Sequence, residues 1–158
     1  MSATNPARTE PAPQKVTTFL WFDTNAEEAV NFYVSVFKNS RVVGTSHYGE
    51  SGAGPKGTVM TIEFDLDGQR FTALNGGPTF KFTEAISLVV HCETQEEIDY
   101  FWEKLSEGGQ KVECGWVKEK FGLSWQIVPN FLMELLLDDT QRCDRVMKDV
   151  KKMKKLEI

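Results

Sequence analysis

The sequence predicts an α+β protein made of two β-α-β-β-β modules in tandem, followed by a C-terminal helix. Segments in which apolar and polar residues alternate, typical of half-buried strands, are interspersed with segments of helical period. The order of these segments begins again after 69 residues. The chain has 158 residues, of which 41% are hydrophobic and 26% charged, a composition typical of one globular domain.

The first module begins with a strand and a helix. Residues 16–22 are rich in β-branched and aromatic side chains, which favour a strand. The residues that follow, 23–25, are Asp, Thr and Asn, which are typical of a helix N-cap. A helix is predicted over residues 26–37, because its apolar residues recur with a spacing of three and four.

Three strands complete this module. Residues 41–48 form the second strand, and a glycine-rich loop follows at residues 49–57. Residues 58–66 alternate, which predicts a strand with one buried face. The Asp-Gly pair at 67–68 is a two-residue hairpin signal, so residues 69–75 should return antiparallel beside it.

The second module repeats this order. Residues 86–91 form a strand, and Thr94 with Glu97 three residues later is typical of a capping box for a helix over residues 95–107, which the following glycines end. Three further strands are predicted at residues 111–117, 123–128 and 131–137. An amphipathic helix over residues 140–156 closes the chain.

A shift of 69 residues superimposes the two modules. It places Thr18 over Ser87, and the apolar residues of the first helix over those of the second. The prediction is therefore a leader over residues 1–15 and one domain over residues 16–158, with modules 16–78 and 85–137.

The charge and the apolar segments of the chain exclude several function classes. The net charge is −5; residues 142–158 carry a net charge of +4, and the rest of the chain carries −9. Because nucleic-acid binders usually carry a basic domain, no nucleic-acid partner is expected. No apolar stretch is long enough for a membrane span, and the first residues lack the apolar segment of a secretory signal, so we expect a cytoplasmic protein without a membrane partner.

Local motifs resemble a known family. The segments EAVNFY at 28–33, FTALNGGPTFKF at 71–82 and FGLSWQ at 121–126 resemble the PhnB-like proteins, also called 3-demethylubiquinone-9 3-methyltransferase domain proteins. These belong to the vicinal oxygen chelate superfamily, which includes glyoxalase and bleomycin-resistance proteins. The resemblance implies that the two modules form a curled mixed sheet around a small-molecule pocket, and that the protein is a homodimer.

The resemblance also implies where a metal would bind. Superfamily members that bind metal use positions that fall here at Thr18, Ser87, Asn75 and Glu134. Since only Glu134 is a strong ligand for a hard cation, no cofactor is expected, and a divalent metal ion stays an open alternative. Thr18, Asn75 and Ser87 are instead candidates for substrate binding.

Glu134 and Trp125 complete the candidate site. Glu134 lies in the predicted strand 131–137 among leucines, where a half-buried carboxylate would act as a general base or anchor a ligand, or would serve only a structural hydrogen bond. Trp125 is one of several aromatic residues that could line a ligand cavity or simply fill the core.

Two functions follow. The first is a small-molecule-binding protein with an aromatic-lined cleft and no tightly bound catalytic metal. The second is an enzyme that uses Glu134 as acid or base, either of a lyase, isomerase or oxygenase type or the methyltransferase of the family label.

Overall fold

The computed structural model describes residues 14–138 and 140–158, and it confirms the predicted α+β architecture. Each module is a four-stranded mixed sheet with one helix on one of its faces. The first module comprises β1 (Thr18–Phe22), α1 (Ala26–Val36), β2 (Arg41–His47), β3 (Val59–Leu66) and β4 (Gln69–Asn75).

The second module is built in the same way. It comprises β5 (Ser87–Cys92), α2 (Gln95–Ser106), β6 (Gln110–Lys111), β7 (Trp116–Lys118) and β8 (Ser124–Pro129). Two helices follow, α3 (Asn130–Asp138) and α4 (Thr140–Val150). No helix among the described residues has the length and apolar character needed to cross a lipid bilayer.

The two sheets have the same strand order, β1-β4-β3-β2 and β5-β8-β7-β6. The first strand of each module runs parallel to the last, and the other pairs are antiparallel. The hairpin predicted at residues 67–68 is confirmed: Asp67 and Gly68 both have positive φ, at 47° and 82°, as a tight two-residue turn requires.

The modules pack against each other through their helix-bearing faces, and the buried residues of both modules form one continuous core. A column of aromatic rings crosses the boundary between them. Phe37, after α1, stacks on Phe101 of α2 with ring centroids 5.1 Å apart, and on Trp125 of β8 with centroids 5.4 Å apart. The opposite face of each sheet therefore points away from the partner module.

The prediction for the last third of the chain was partly wrong. The predicted strand over residues 131–137 is the helix α3, in which Leu132 and Leu135 are buried at a spacing of three, a helical period that the leucine-rich run concealed. The predicted strand over residues 111–117 is interrupted at Cys114 and Gly115, whose positive φ angles of 60° and 81° reverse the chain between β6 and β7. The helix predicted over residues 140–156 ends at Val150.

The internal repeat is real, but one shift does not describe it. In the helices, Tyr33 and Trp102 are equivalent buried residues, which gives the expected shift of 69. In the first strands, the buried Phe22 corresponds to the buried Cys92, a shift of 70. The difference arises because three residues join β1 to α1 and only two join β5 to α2.

The C-terminal segment covers part of the outer face of the second sheet. Val89 and Val128 lie on the face opposite α2 and pack in a second, smaller core with Val150 and Leu156. The end of the chain is held by backbone hydrogen bonds, such as the one that Gly115 N donates to Lys154 O at 2.7 Å. This segment is thus an integral part of the second module.

Candidate functional site

A cleft of about 870 Å³ lies between the two modules. Its walls are the end of α1, the β3–β4 hairpin, the edge strand β5 and the first turns of α2. All residues from Ser87 to His91 line it, because β5 has a neighbouring strand on only one side. The cleft therefore depends on the way the modules pack.

The floor of the cleft is aromatic. Phe37 and Phe101 line it together with Phe71 and Trp125, and three of these rings belong to the stacked column that joins the modules. Since stacked rings hold one another in place, this floor is largely pre-formed.

Trp125 is buried in the wall of the cleft and also has an unpaired polar atom, a combination that no other described residue of the cleft has. Its side chain lines the cleft and is only 3% exposed. Its indole Nε1 is buried and has no hydrogen-bond partner among the described residues. Because an unpaired buried donor costs about 1–3 kcal/mol, a stable fold keeps few of them.

Charged side chains surround the opening. Three carboxylates, those of Asp67, Glu96 and Glu97, line the cleft with one ammonium group, that of Lys38. The Glu97 carboxylate accepts a hydrogen bond of 2.8 Å from the backbone N–H of residue 93. The formal charges of these four groups sum to −2, so the polar rim of the cleft is acidic.

Ser87 and Trp125 are the predicted site residues that the structure brings to this cleft. The Ser87 hydroxyl accepts a hydrogen bond of 2.8 Å from Gln126 Nε2. Gln126 was missed by the sequence analysis, although its place in the FGLSWQ motif, next to Trp125, was a usable signal. Five other aromatic residues that could have lined a cavity do not line this cleft: Trp21, Phe80, Phe82, Trp116 and Phe121.

Thr18 and Asn75 lie elsewhere. Thr18 has the same parity as the buried Leu20 and Phe22, so it faces α1, whereas Ser87 lies on the outer face of its sheet. Pairing Thr18 with Ser87 was therefore wrong by one residue, which in a strand exchanges the two faces.

Asn75 has a structural task. Its Oδ1 accepts a hydrogen bond of 2.8 Å from the N–H of Ala26, the first residue of α1, and its Nδ2 donates to Val59 O at 3.1 Å. The Asn75 side chain thus caps α1, a helix whose own N-cap residue, Asn25, makes no side-chain cap. This amide is already engaged by the protein.

Both premises of the prediction for Glu134 were wrong. It lies on the helix α3 and its side chain is exposed, whereas the prediction assumed a strand and a half-buried carboxylate. The helical turn that buries Leu132 and Leu135 directs residue 134 away from the core. The role of Glu134 as an acid or base stays a prediction that has lost its physical basis.

The four positions implied for a metal do not converge. Thr18 pairs with Phe71 and Asn75 pairs with Phe22, so Thr18 and Asn75 lie at opposite ends of neighbouring strands. Four residues of strand separate them, about 13 Å. Within residues 14–138 and 140–158, no three His, Cys, Asp or Glu side chains come together as a metal site would require. These residues do not fit a metal ion.

Among the residues that the structure describes, the buried carboxylate is that of Glu119, which the sequence analysis did not single out. It is 2% exposed and accepts three hydrogen bonds, from Tyr33 Oη at 2.8 Å, Phe121 N at 2.9 Å and Leu123 N at 2.8 Å. Burial raises the pKa of Glu119, and burial together with the neighbouring carboxylate raises the pKa of Tyr33 well above 10. Through these three hydrogen bonds Glu119 joins the two modules, and it does not line the cleft.

The glycine-rich loop at residues 49–57 lies outside the cleft. It wraps around the ring of Tyr48, so that a Cβ at Gly52 or Gly54 would come within 2.5 Å of that ring. The Tyr48 hydroxyl donates a hydrogen bond to the Asn75 carbonyl. Part of the loop lines a smaller hollow of about 400 Å³ near the start of α1.

Comparisons with known proteins agree with this architecture. A family model described as 3-demethylubiquinone-9 3-methyltransferase matches residues 14–128. The structure of the PhnB protein from Bacillus cereus is 43% identical, with a TM-score of 0.67, over 73% of this chain and 99% of that chain. No curated protein matches the chain.

More distant structures share the fold. Protein PA1353 from Pseudomonas aeruginosa is 17% identical, with a TM-score of 0.62, over 74% of this chain and 98% of its own. The fosfomycin resistance protein FosX from Listeria monocytogenes, solved with Mn(II) and sulfate, is 14% identical, with a TM-score of 0.54, over 77% of this chain and 94% of its own. At such identities the likeness shows the fold alone.

Proposed function

This chain belongs to the 3-demethylubiquinone-9 3-methyltransferase (PhnB-like) family, which has the glyoxalase/bleomycin resistance fold, and on that basis we propose that it binds a small organic molecule in the cleft between its modules. The observation that carries the proposal is the stacked aromatic floor of a cleft of about 870 Å³. Small-molecule pockets typically measure about 300–1,000 Å³ and are mostly apolar with a few fixed polar groups.

Trp125 supports the proposal further. Its indole N–H is buried in the free protein, so a ligand with a hydrogen-bond acceptor would have to displace neighbouring atoms to reach it, and pairing would then remove the cost of burying it. Ser87, at the edge of the same cleft, supplies a hydroxyl whose orientation is set by Gln126. The ligand contacts are thus an aromatic surface and two neutral polar groups.

We test this with N-phenylnaphthylamine, a neutral aromatic probe whose fluorescence rises in apolar surroundings. Trp125→Phe should weaken its binding by about threefold, because a phenyl ring offers the probe less stacking surface than an indole ring. Trp116→Phe is the control, because Trp116 is a partly buried tryptophan of the neighbouring strand β7 that does not line the cleft. A wild-type protein that does not bind the probe, or two variants with equal affinity, would contradict the proposal.

Ligand binding is proposed to proceed without a tightly bound metal, because the hydroxyl and amide groups at Thr18, Ser87 and Asn75 would leave the charge of a divalent cation largely uncompensated. Metal analysis of protein purified without chelators provides the test. One equivalent of metal per chain would overturn this part of the proposal.

Methyl transfer is a second candidate, favoured by the description of the matching family. Calorimetric titration with S-adenosylmethionine tests it directly. A saturable heat with one site per chain would support it, and a flat titration would remove it.

The predicted homodimer and cytoplasmic location are also proposals. The dimer is supported by Phe19, which is 58% exposed on β1, a strand at the edge of its sheet. Unpaired strand edges with exposed apolar residues favour association. Light scattering should give twice the mass of the chain, and Phe19→Asp should shift it to the monomer; a monomeric wild type would refute the dimer.

A further inference from the structure

We propose that the natural ligand of the cleft is an aromatic cation, that is, a planar ring system with a protonated amine or quaternary nitrogen; this holds only if the cleft binds a small molecule as proposed above. The aromatic floor fits the ring system. The acidic rim fits the positive charge.

The recognition of a cation would be carried by one face of α2. Glu96 and Tyr100 are four residues apart on this helix, so their side chains are neighbours, and both line the cleft. A carboxylate beside an aromatic ring attracts a cation in two ways, through its charge and through the negative face of the ring.

The Tyr100 ring is held in place before any ligand binds. Its hydroxyl donates a hydrogen bond of 2.8 Å to the Val36 carbonyl of α1, and its ring packs edge to face on Phe101. Tyr100 is nonetheless 43% exposed, so part of its ring is open to a ligand. Little conformational freedom is lost when a cation meets a ring that is already fixed.

Charge across the cleft agrees with this assignment. Asp67 lies on the β3–β4 hairpin, on another wall from Glu96, and neither carboxylate has an ion-pair partner among the described residues. Lys38 is the cation that lines this cleft, against three carboxylates. An anionic ligand would meet a net negative rim and lose affinity.

A series of probes of different charge tests the inference. The neutral N-phenylnaphthylamine measures cleft binding alone, anilinonaphthalene sulfonate adds a negative charge to the same rings, and proflavine is a planar cation. We expect proflavine to bind more tightly than the neutral probe and the sulfonate more weakly, with the proflavine affinity decreasing as salt is added.

Variants locate the effect. Glu96→Gln and Tyr100→Leu should each weaken proflavine by about two- to fivefold, the range for exposed charge pairs and cation–π contacts, and Glu96→Gln should weaken proflavine more than the neutral probe. Glu107→Gln is the control, since Glu107 is exposed at the end of α2 and does not line the cleft.

The outcomes separate the two proposals. Suppose that the neutral probe binds in a Trp125-dependent way, but the sulfonate binds as tightly as proflavine or Glu96→Gln does not change the proflavine affinity. The proposal of a cationic ligand is then refuted, and the proposal of a small-molecule site is kept. If the neutral probe does not bind, the site itself is wrong.

Discussion

Removal of the Glu119 carboxylate should destabilise the protein more than any other single loss of a polar group described above. Glu119→Ala leaves three buried or half-buried donors without a partner: the Tyr33 hydroxyl and the N–H groups of Phe121 and Leu123. Each unpaired buried donor costs about 1–3 kcal/mol, and water that enters the vacated space recovers part of this. The expected loss is about 3–5 kcal/mol, a large share of the 5–15 kcal/mol that typically stabilises a domain.

Tyr33→Phe tests the hydrogen bond between Tyr33 and Glu119 with a smaller change. It removes one donor and leaves the carboxylate with its two backbone donors, which costs about 1–2 kcal/mol. Urea unfolding of wild type and both variants measures these values, and the exposed Glu107→Ala serves as a control that should stay within about 0.5 kcal/mol of wild type.

The cost of Tyr33→Phe should depend on pH. Burial raises the pKa of Glu119 above its ordinary 4.5, so its contribution to stability is fully present below that value and is lost as pH rises through the raised pKa. The Tyr33 hydrogen bond opposes this shift because it favours the charged carboxylate. Without it, the pKa rises further, and the variant loses more stability at pH 7.5 than at pH 4.5. A loss below about 1 kcal/mol for Glu119→Ala, or an equal cost of Tyr33→Phe at both pH values, would refute this reasoning.

Three further predictions concern other parts of the fold. Asn75→Ala should lower the stability measured by thermal unfolding by about 1–2 kcal/mol, because the first N–H of α1 loses its cap, and a value near zero would contradict this role. Burial, and secondarily Glu97, raises the pKa of Cys92 to about 12. At pH 8 a thiol reagent should therefore modify the half-buried Cys114 and Cys143 in the folded protein, and Cys92 only after unfolding. Three thiols that react at one rate would contradict this prediction. Leu156→Ala should cost about 2–4 kcal/mol in urea unfolding if the C-terminal segment is part of the cooperative fold, and an unchanged midpoint would show that it is not.

The sequence predicts an element well where its local pattern and its end signals agree. The strand β4 was predicted with its exact bounds, because the Asp-Gly turn marks its start and Asn75 precedes two glycines. The helix α2 was predicted to within one residue at its end, and Thr94 caps it as expected, accepting from Glu97 N at 3.2 Å. The helix α3 was missed because residues 131–137 are apolar in both phases except at Glu134, and because Asn130, a typical N-cap residue directly before them, was not recognised as a helix start.

The site was harder to predict, because it is a property of packing. The cleft takes residues from both modules, and their approach depends on the stacking of Phe37 on Phe101 and Trp125, which no local pattern encodes. Glu119 illustrates the same limit. A glutamate between two lysines is typical of a solvated strand, and only the tertiary structure brings Tyr33 to its carboxylate.

The unequal turns that join strand to helix in the two modules also bear on protein engineering. A substitution copied from the first module to the second must move by 69 positions on the helix but by 70 on the first strand, or it is placed on the wrong face of the sheet. The additional residue lies in the turn where Asp23 and Thr24 line the smaller hollow. One added residue in a surface turn therefore lets two halves of common design acquire different surfaces while their cores stay equivalent.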